Sequence, residues 1–334
     1  MIIESSAPTR VDLAGGTVDI WPLYLFHRDA ITVNFAINLL ARCRLSTRSD
    51  EKIFLRSIDT GESAEFGGLE PLWSTPRLKM LSKLIYFFAP QTGLEMTTEC
   101  TAPAGSGLAG SSALNIAICG ALNKFTGDRY DPETLIQIAK NVEAQVIDVP
   151  TGDQDFYPAT YGGLEAIHLT EKGVVREAIA ADLDRLSGRL VLVFSGQQRN
   201  SGINNWEVMK RHIDGDLGIF RAFDGIVHAA NSAAAALRTG RFEEIDSALE
   251  EEWSNRRVLS DGITTPEIER IIDQARALGA GSAKICGAGG GGCVVLSTPD
   301  GHRPKIESEL RKLGVEVIDY KIATQGLEVK VTAG

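Results

Sequence analysis

The sequence predicts an α+β protein with two lobes. Strand-like and helix-like segments alternate throughout the 334 residues, and polar residues interrupt the apolar pattern around residues 171–187. Two glycine-rich turns, at residues 103–112 and 287–292, each lie between apolar elements. We therefore expect an N-terminal lobe over residues 1–175 and a C-terminal lobe over residues 176–334.

The turn at residues 103–112 has the composition of a phosphate-binding loop. A strand-like run, Glu95 to Thr101, precedes it, and a run with helical spacing of apolar residues, Leu114 to Phe125, follows it. Its glycines let the backbone approach an anion, and the helix start directs free N–H groups and a positive dipole end toward that anion. The candidate anion contacts of the turn are Gly105, Gly107, Gly110, Ser111 and Ser112.

Two other nucleotide motifs are compatible with parts of this turn. The spacing Gly105-x-Gly107-x-x-Gly110 satisfies the dinucleotide fingerprint, but that fingerprint usually opens a domain and here it arrives about a hundred residues into the chain. The spacing from Gly105 to Gly110 also mimics a Walker A loop. That loop requires lysine next, and Ser111 stands there instead.

The segment after this turn supplies two candidate carboxylates. Asp131, followed by proline, is a good helix start, and the apolar stripe of the helix places Glu143 at its edge. Taken alone, Glu143 is also compatible with a solvated helix face. The helix stops before residues 150–157, a turn that carries Asp155, with Asp153 as the nearest rival.

The second glycine-rich turn must be a loop. Five glycines within residues 287–292 disfavour helix and regular strand, because each costs roughly 0.5–1 kcal/mol relative to alanine. A helical pattern from Ile268 to Leu278 precedes the loop, and an apolar strand-like run, Cys293 to Leu296, follows it. Earlier in the same lobe, a strand that includes Phe194 leads into a polar turn.

Composition excludes several classes of protein. A net charge of −10 disfavours nucleic acid as a partner, whereas anionic small ligands remain compatible. No apolar run approaches the roughly 18 residues needed to span a bilayer, and we expect a cytoplasmic protein. Five cysteines without CxxC spacing argue against a disulfide framework and a zinc site.

Three motifs resemble those of the GHMP kinases, the superfamily of galactokinase, homoserine kinase, mevalonate kinase and phosphomevalonate kinase. Residues 7–19 (Ala-Pro-Thr-Arg-Val-Asp-Leu-Ala-Gly-Gly-Thr-Val-Asp) look like its first motif. The turn at residues 103–113 resembles the second, with Ala109-Gly110 where Gly-Ser or Ser-Ser is usual. Residues 284–292 (Lys-Ile-Cys-Gly-Ala-Gly-Gly-Gly-Gly) look like the third. The motifs occur in the family's order, so the resemblance covers essentially the whole chain.

The resemblance implies a two-lobed fold and two cofactors. The N-terminal lobe should resemble domain 2 of ribosomal protein S5, and the C-terminal lobe should be ferredoxin-like. ATP would be the phosphoryl donor, with Mg²⁺ bridging its phosphates. The resemblance implies that the nucleotide contacts are Pro103, Gly105, Ser106, Gly107, Leu108, Gly110, Ser111 and Ser112. In the family, the third-motif loop packs against the nucleotide-binding loop.

The resemblance also assigns catalytic and metal-binding roles. Asp155 would be the catalytic base or hydroxyl-orienting carboxylate, and Arg10 would lie beside it and offset phosphoryl charge. Glu143 and Ser111 would hold Mg²⁺, with Ser112 as the alternative to Ser111. For Arg10, a structural salt bridge is the competing interpretation.

Substrate contacts follow from the first and third motifs. Asp19 falls where sugar kinases of the superfamily bind sugar hydroxyls, and Gly16 replaces a bulkier side chain of galactokinase, which disfavours galactose. Arg199 would meet a substrate phosphate, although a surface arginine is an equal alternative. The full set of predicted substrate contacts is Asp19, Gly16, Thr17, Gly289, Gly290 and Arg199.

Weaker marks, among them Tyr157, Gly162-Gly163 and Trp253, resemble the heptose-phosphate kinases and their relatives that phosphorylate sugars at C1. The sequence thus predicts an ATP- and Mg²⁺-dependent kinase of the anomeric hydroxyl of a sugar or sugar phosphate. Three alternatives stay open: the same fold acting on mevalonate or homoserine, a catalytically silent nucleotide- and sugar-binding sensor, and a NAD-dependent oxidoreductase. The loop at residues 287–292 disfavours the last of these.

Overall fold

Two sheets organise the fold in a computed structural model that describes residues 1–197 and 201–332. The larger, mixed sheet contains β1 (Ile2–Ala14), β2 (Ile31–Thr47), β3 (Ile53–Ser57), β4 (Ser63–Phe66), β5 (Leu94–Cys100), β6 (Leu164–Thr170), β7 (Gly173–Ala178) and β12 (Glu328–Thr332). The smaller sheet contains β8 (Leu190–Phe194), β9 (Ala283–Ile285), β10 (Cys293–Ser297) and β11 (Glu316–Ile318).

Helices pack on both sheets and connect them. They are α1 (Lys79–Phe88), α2 (Gly110–Phe125), α3 (Pro132–Ile147), α4 (Phe156–Tyr161), α5 (Leu183–Gly188), α6 (Ser201–Ile213), α7 (Leu217–Thr239), α8 (Ile245–Arg256), α9 (Pro266–Ala277) and α10 (Arg303–Lys312). Short 3₁₀ turns occur at Leu23–Phe26, Glu70–Leu72 and Phe242–Glu244. Within the described part of the chain, no helix is both long and apolar enough to cross a membrane.

The N-terminal lobe is built around the long strand β2. Its first half pairs with β6 and its second half with β5, while β1 runs antiparallel along most of its length. The hydrogen-bonded path is β12-β1-β2-β5-β3-β4, and β3 pairs with β5 in parallel. Helix α2 packs on β1 and β2, so its N-terminus is fixed relative to the first strand.

The C-terminal lobe has ferredoxin-like topology. Its antiparallel sheet has the order β11-β8-β10-β9, and helices connect β8 to β9 and β10 to β11. This is the β-α-β-β-α-β pattern of that fold. The two-lobed α+β prediction is therefore confirmed.

The predicted division at residues 175 and 176 does not coincide with the division between the sheets. The position lies inside β7, which belongs to the first sheet. The last described strand, β12, also returns to pair antiparallel with β1. The C-terminal segment therefore contributes to both lobes.

Close packing of α7 shapes the turn at residues 15–19, which belongs to the first motif (the first-motif turn). This alanine-rich helix lies against β1 and β2, where small side chains allow a close approach. At Gly15, which has a φ of +88°, a Cβ atom would lie 2.1 Å from the carbonyl oxygen of Ile31 and 3.1 Å from the Cβ of Ala230. Only glycine fits there, because both the backbone angle and the space exclude a side chain.

Candidate functional site

All three glycine-containing motifs border one cleft of about 770 Å³. The motif residues that line it include Arg10, Thr17, Asp19, Pro103, Gly105, Ser106, Gly107, Gly110, Ser111, Ser112 and Gly287, and the predicted carboxylates Glu143 and Asp155 line it as well. Ser57, Asp59, Thr60, Met80 and Cys100 also line the cleft and carry no local sequence signal for it. The volume is in the range of small-molecule sites.

The turn at residues 103–112 (the phosphate-type turn) directs the unsatisfied N-terminus of α2 into this cleft. Gly105 and Gly107 adopt φ of 69° and 78°, and Ala109 is left-handed at the helix N-cap, without a side-chain cap. The first helical bond runs from the Ala113 N–H to the Ala109 carbonyl, so the N–H groups of residues 110–112 precede it. Backbone donors and the positive dipole end together form an anion site. Leu108, in contrast, is fully buried in the core and does not line the cleft.

The third-motif loop packs directly against this turn. The Cys293 N–H donates to the Ser106 carbonyl at 2.7 Å, and a Cβ on Gly292 would lie 2.6 Å from the same oxygen. Gly289 and Gly290 pack against Ile263 rather than the cleft, since the Gly290 N–H donates to the Ile263 carbonyl. The wall is instead formed by Gly287 and Ala288, two residues earlier in the loop than predicted.

Arg10 and Asp155 form a close pair beside the phosphate-type turn. Arg10 is buried, and its Nε and Nη2 donate to Asp155 Oδ1 at 2.9 and 2.5 Å, while Nη1 donates to the Gly107 carbonyl at 2.7 Å. Burial lowers the pKa of Arg10, but Asp155 and Asp12 more than offset this, so its pKa is raised. Asp155 Oδ2 accepts no hydrogen bond from the described residues and faces a partly open site.

Glu143 is buried under the first turn of α2. Its carboxylate accepts from Ser112 Oγ at 3.0 Å, while the neighbouring Ser111 lies exposed in the cleft. Burial raises the pKa of Glu143 to about 7, Asp155 adds to the rise, and hydrogen bonds from Ser111, Ser112 and Thr151 oppose it. Among the described residues, no basic side chain forms an ion pair with this carboxylate.

Asp19 and its neighbour Asp153 have different environments. Asp19 lines the cleft, is buried, and accepts from the Gln154 N–H at 2.9 Å. Burial raises its pKa to about 7; the Gln154 hydrogen bond opposes the rise, and Asp155 and Asp153 add to it. Asp153 does not line the cleft, and Lys140 Nζ lies 2.6 Å from its carboxylate. Of the two candidate bases, Asp155 is therefore the one that faces the cleft.

Several residues of this region carry no local sequence signal. Asn205 lines the cleft, and Arg256 from α8 donates to the carbonyl of Gly16, which itself does not line it. Arg199, the predicted phosphate contact, lies outside the described residues. The arrangement as a whole can bind a polyphosphate at the helix end and orient a hydroxyl at Asp155.

Comparison with known proteins shows the family of the chain. Residues 78–163 match the GHMP kinases N terminal domain, and residues 233–316 match the GHMP kinases C terminal domain. The D-glycero-alpha-D-manno-heptose 7-phosphate kinase of Campylobacter jejuni is 28% identical, with 98% of each chain covered. A mevalonate kinase of Archaeoglobus fulgidus is 30% identical over 90% of this chain and 94% of that protein.

Solved structures show the same fold. A D-glycero-D-manno-heptose 1-phosphate kinase from Bacteroides thetaiotaomicron superposes with a TM-score of 0.80 at 21% identity, covering 99% of this chain and 100% of that chain. Lactococcus lactis galactokinase superposes with a TM-score of 0.78 at 17% identity, covering 98% of this chain and 95% of that chain. The similarity spans both lobes.

Proposed function

Since the chain belongs to the GHMP kinase family and is an ATP-dependent kinase, we propose that it phosphorylates the anomeric hydroxyl of a sugar or sugar phosphate. The observation that carries the proposal is the pair of carboxylates at one end of the cleft. Asp155 lies beside the phosphate-type turn in contact with Arg10, and Asp19 lines the same space. A carboxylate that accepts from two hydroxyls is a common anchor for a sugar.

The chemistry follows from the positions of these groups. The N–H groups at the start of α2 bind the phosphates of ATP, so that the γ-phosphoryl group faces Asp155. Asp155 orients the acceptor hydroxyl and takes its proton as the oxygen attacks phosphorus. Arg10 holds the carboxylate of Asp155 through two hydrogen bonds and offsets charge on the transferring group.

The residues present fit a divalent cation beside the phosphates. Glu143 is buried with a pKa raised to about 7 and has serine hydroxyls, rather than a base, as its neighbours. A buried carboxylate without a basic partner is stabilised by a cation. Glu143 and Ser111 would hold Mg²⁺, with Ser112 orienting Glu143 or replacing Ser111 as the ligand. An ion held there would supply positive charge against the phosphates of ATP. The use of ATP favours action in the cytoplasm.

Acidic groups distinguish a sugar from the main alternative acceptor. Similarity to an archaeal mevalonate kinase makes mevalonate the second candidate. Mevalonate carries a carboxylate. The side chains of Asp19 and Asp155 both line the cleft, and the Coulomb interaction with Asp155 contributes to the raised pKa of Asp19. Like charges in such a site repel. The hydroxyls of a sugar avoid this repulsion and supply hydrogen-bond donors instead, and a sugar phosphate does the same where its phosphate is bound away from Asp19 and Asp155.

The test is an acceptor screen that measures ADP release. Purified protein with ATP and Mg²⁺ is supplied with aldoses, aldose terminal phosphates, mevalonate or homoserine, and the Asp155→Asn variant measures background hydrolysis. We expect acceptor-dependent ADP release with an aldose or aldose phosphate. Turnover of mevalonate or homoserine with no sugar accepted would overturn the sugar assignment. No turnover of any acceptor, with nucleotide still bound, would support the silent-sensor alternative.

A further inference from the structure

Four charged side chains form a network buried between the two sheets. Asp12 on β1, Lys284 on β9, and Glu252 and Arg256 on α8 are each no more than 1% exposed. Lys284 Nζ lies 3.1 Å from Asp12 Oδ1 and 3.3 Å from Glu252 Oε1, and Arg256 Nε donates to Glu252 Oε1 at 2.8 Å. Stability alone does not require such a network, because apolar residues of similar volume often serve as well.

The guanidinium of Arg256 extends from this network to the edge of the cleft. Its Nη2 donates to the Gly16 carbonyl at 2.8 Å, and its Nη1 donates to Thr17 Oγ1 at 3.0 Å and to the Gly287 carbonyl at 3.3 Å. Thr17 and Gly287 line the cleft, whereas Arg256 does not. One side chain of the C-terminal lobe therefore holds the first-motif turn against the third-motif loop.

The first-motif turn needs an external restraint. Thr17 has a φ of 73°, a left-handed conformation that is unusual for a β-branched residue. Such a conformation costs of order 1–3 kcal/mol and persists when surrounding contacts enforce it. The hydrogen bond from Arg256 to the Thr17 hydroxyl is a contact of this kind. Asp19 follows two residues later, so the conformation at Thr17 helps to place the carboxylate of Asp19, which the Gln154 N–H also holds at 2.9 Å.

We propose that Arg256 is a positioning residue for the acceptor, which fixes the turn Gly16–Thr17 and thereby the acceptor-binding face of the cleft. The proposal rests on the proposed function in taking this turn as the acceptor side. Arg256 would therefore affect the KM for the acceptor although it contacts neither the acceptor nor ATP. The planar fork of arginine suits this role, because it reaches Glu252 and the turn at the same time.

The decisive variant is Arg256→Lys, which keeps the buried positive charge. A single ammonium group cannot reach Glu252, Gly16 and Thr17 together. We expect the acceptor KM to rise about tenfold or more, while the KM for ATP stays within about twofold. Arg257→Lys is the matched control. Arg257 is adjacent, but its ion pair with Glu269 lies at the surface, and we expect both KM values to be unchanged.

A double-mutant cycle separates positioning from a general loss of packing. Thr17→Val removes the hydroxyl that Arg256 binds, so the combined Thr17→Val and Arg256→Lys variant should raise the acceptor KM by less than the product of the single effects. If Arg256→Lys fails to fold, the pair Arg256→Met with Glu252→Met replaces the buried ion pair by apolar groups of similar length. The same selective rise in acceptor KM is expected for that pair.

The proposal is overturned if Arg256→Lys leaves the acceptor KM unchanged, or if both KM values rise equally. Multiplicative single effects in the cycle would also contradict it. Failure of the proposed function looks different, since wild type would then accept mevalonate or homoserine and no sugar. In that case the same comparison of KM values, made on the accepted alcohol, still tests the role of Arg256.

Discussion

Replacement of Asp155 by asparagine tests the assigned chemistry at the reacting hydroxyl. The amide is nearly isosteric, so the fold and nucleotide binding should persist, but it cannot take a proton and it weakens the contacts from Arg10 Nε and Nη2. A charge-assisted hydrogen bond is worth about 1.5–3 kcal/mol. Loss of one such interaction in the transition state, together with loss of the base, should lower kcat by roughly 10² or more.

The assay is steady-state ADP release at saturating ATP and acceptor, with nucleotide affinity measured separately by titration. Asp153→Asn is the matched control, since Asp153 is also an aspartate of this turn but its carboxylate pairs with Lys140 outside the cleft. Its effect on kcat should be much smaller. A loss below tenfold for Asp155→Asn, or a larger loss for Asp153→Asn, would refute the assignment of the base.

Three further predictions concern the carboxylates and serines of the cleft. The raised pKa of Glu143 means that the folded protein retains a proton between pH of about 4.5 and about 7 that the unfolded chain has lost, so this group lowers stability as pH rises. Glu143→Gln should therefore raise Tm more at pH 8 than at pH 5 in the absence of Mg²⁺; an equal change at both pH values would contradict this. Ser111→Ala should increase the Mg²⁺ concentration for half-maximal rate more than Ser112→Ala does, and the reverse order would make Ser112 the ligand. Asp19→Asn should raise the acceptor KM by about tenfold or more, with the KM for ATP changed by less than a few-fold; equal changes would remove Asp19 from the acceptor site.

Local signals explain what the sequence could predict. The start of α3 was predictable because a cap and a proline act within one turn, and the Thr134 N–H does donate to Asp131 Oδ1 at 2.8 Å. The signals for the phosphate-type turn were equally local, because its glycines and the start of α2 lie within ten residues of one another. The loop at residues 287–292 followed from glycine content alone. The strand β9 before it was not predicted, because three residues are too few to establish a period.

Long-range pairing explains what the sequence could not predict. The contact of Arg256 with Thr17 joins residues 239 positions apart, and nothing near either residue indicates the partner. Glu143 was expected at the edge of an apolar stripe, whereas it is buried, because α3 packs against both α1 and α2. The pairing of β12 with β1 in the first sheet is likewise determined only by tertiary structure.

The position of phosphorylation tests the central claim most directly. The product formed from ATP and the accepted sugar is purified, and the coupling between ³¹P and the sugar protons is measured by NMR spectroscopy. We predict a phosphorus signal coupled to the anomeric proton, together with acid-labile phosphate, as expected for a sugar 1-phosphate. A newly added phosphate whose phosphorus shows three-bond coupling to a proton at any other carbon, or a phosphorylated product only with a non-sugar alcohol, would contradict the account.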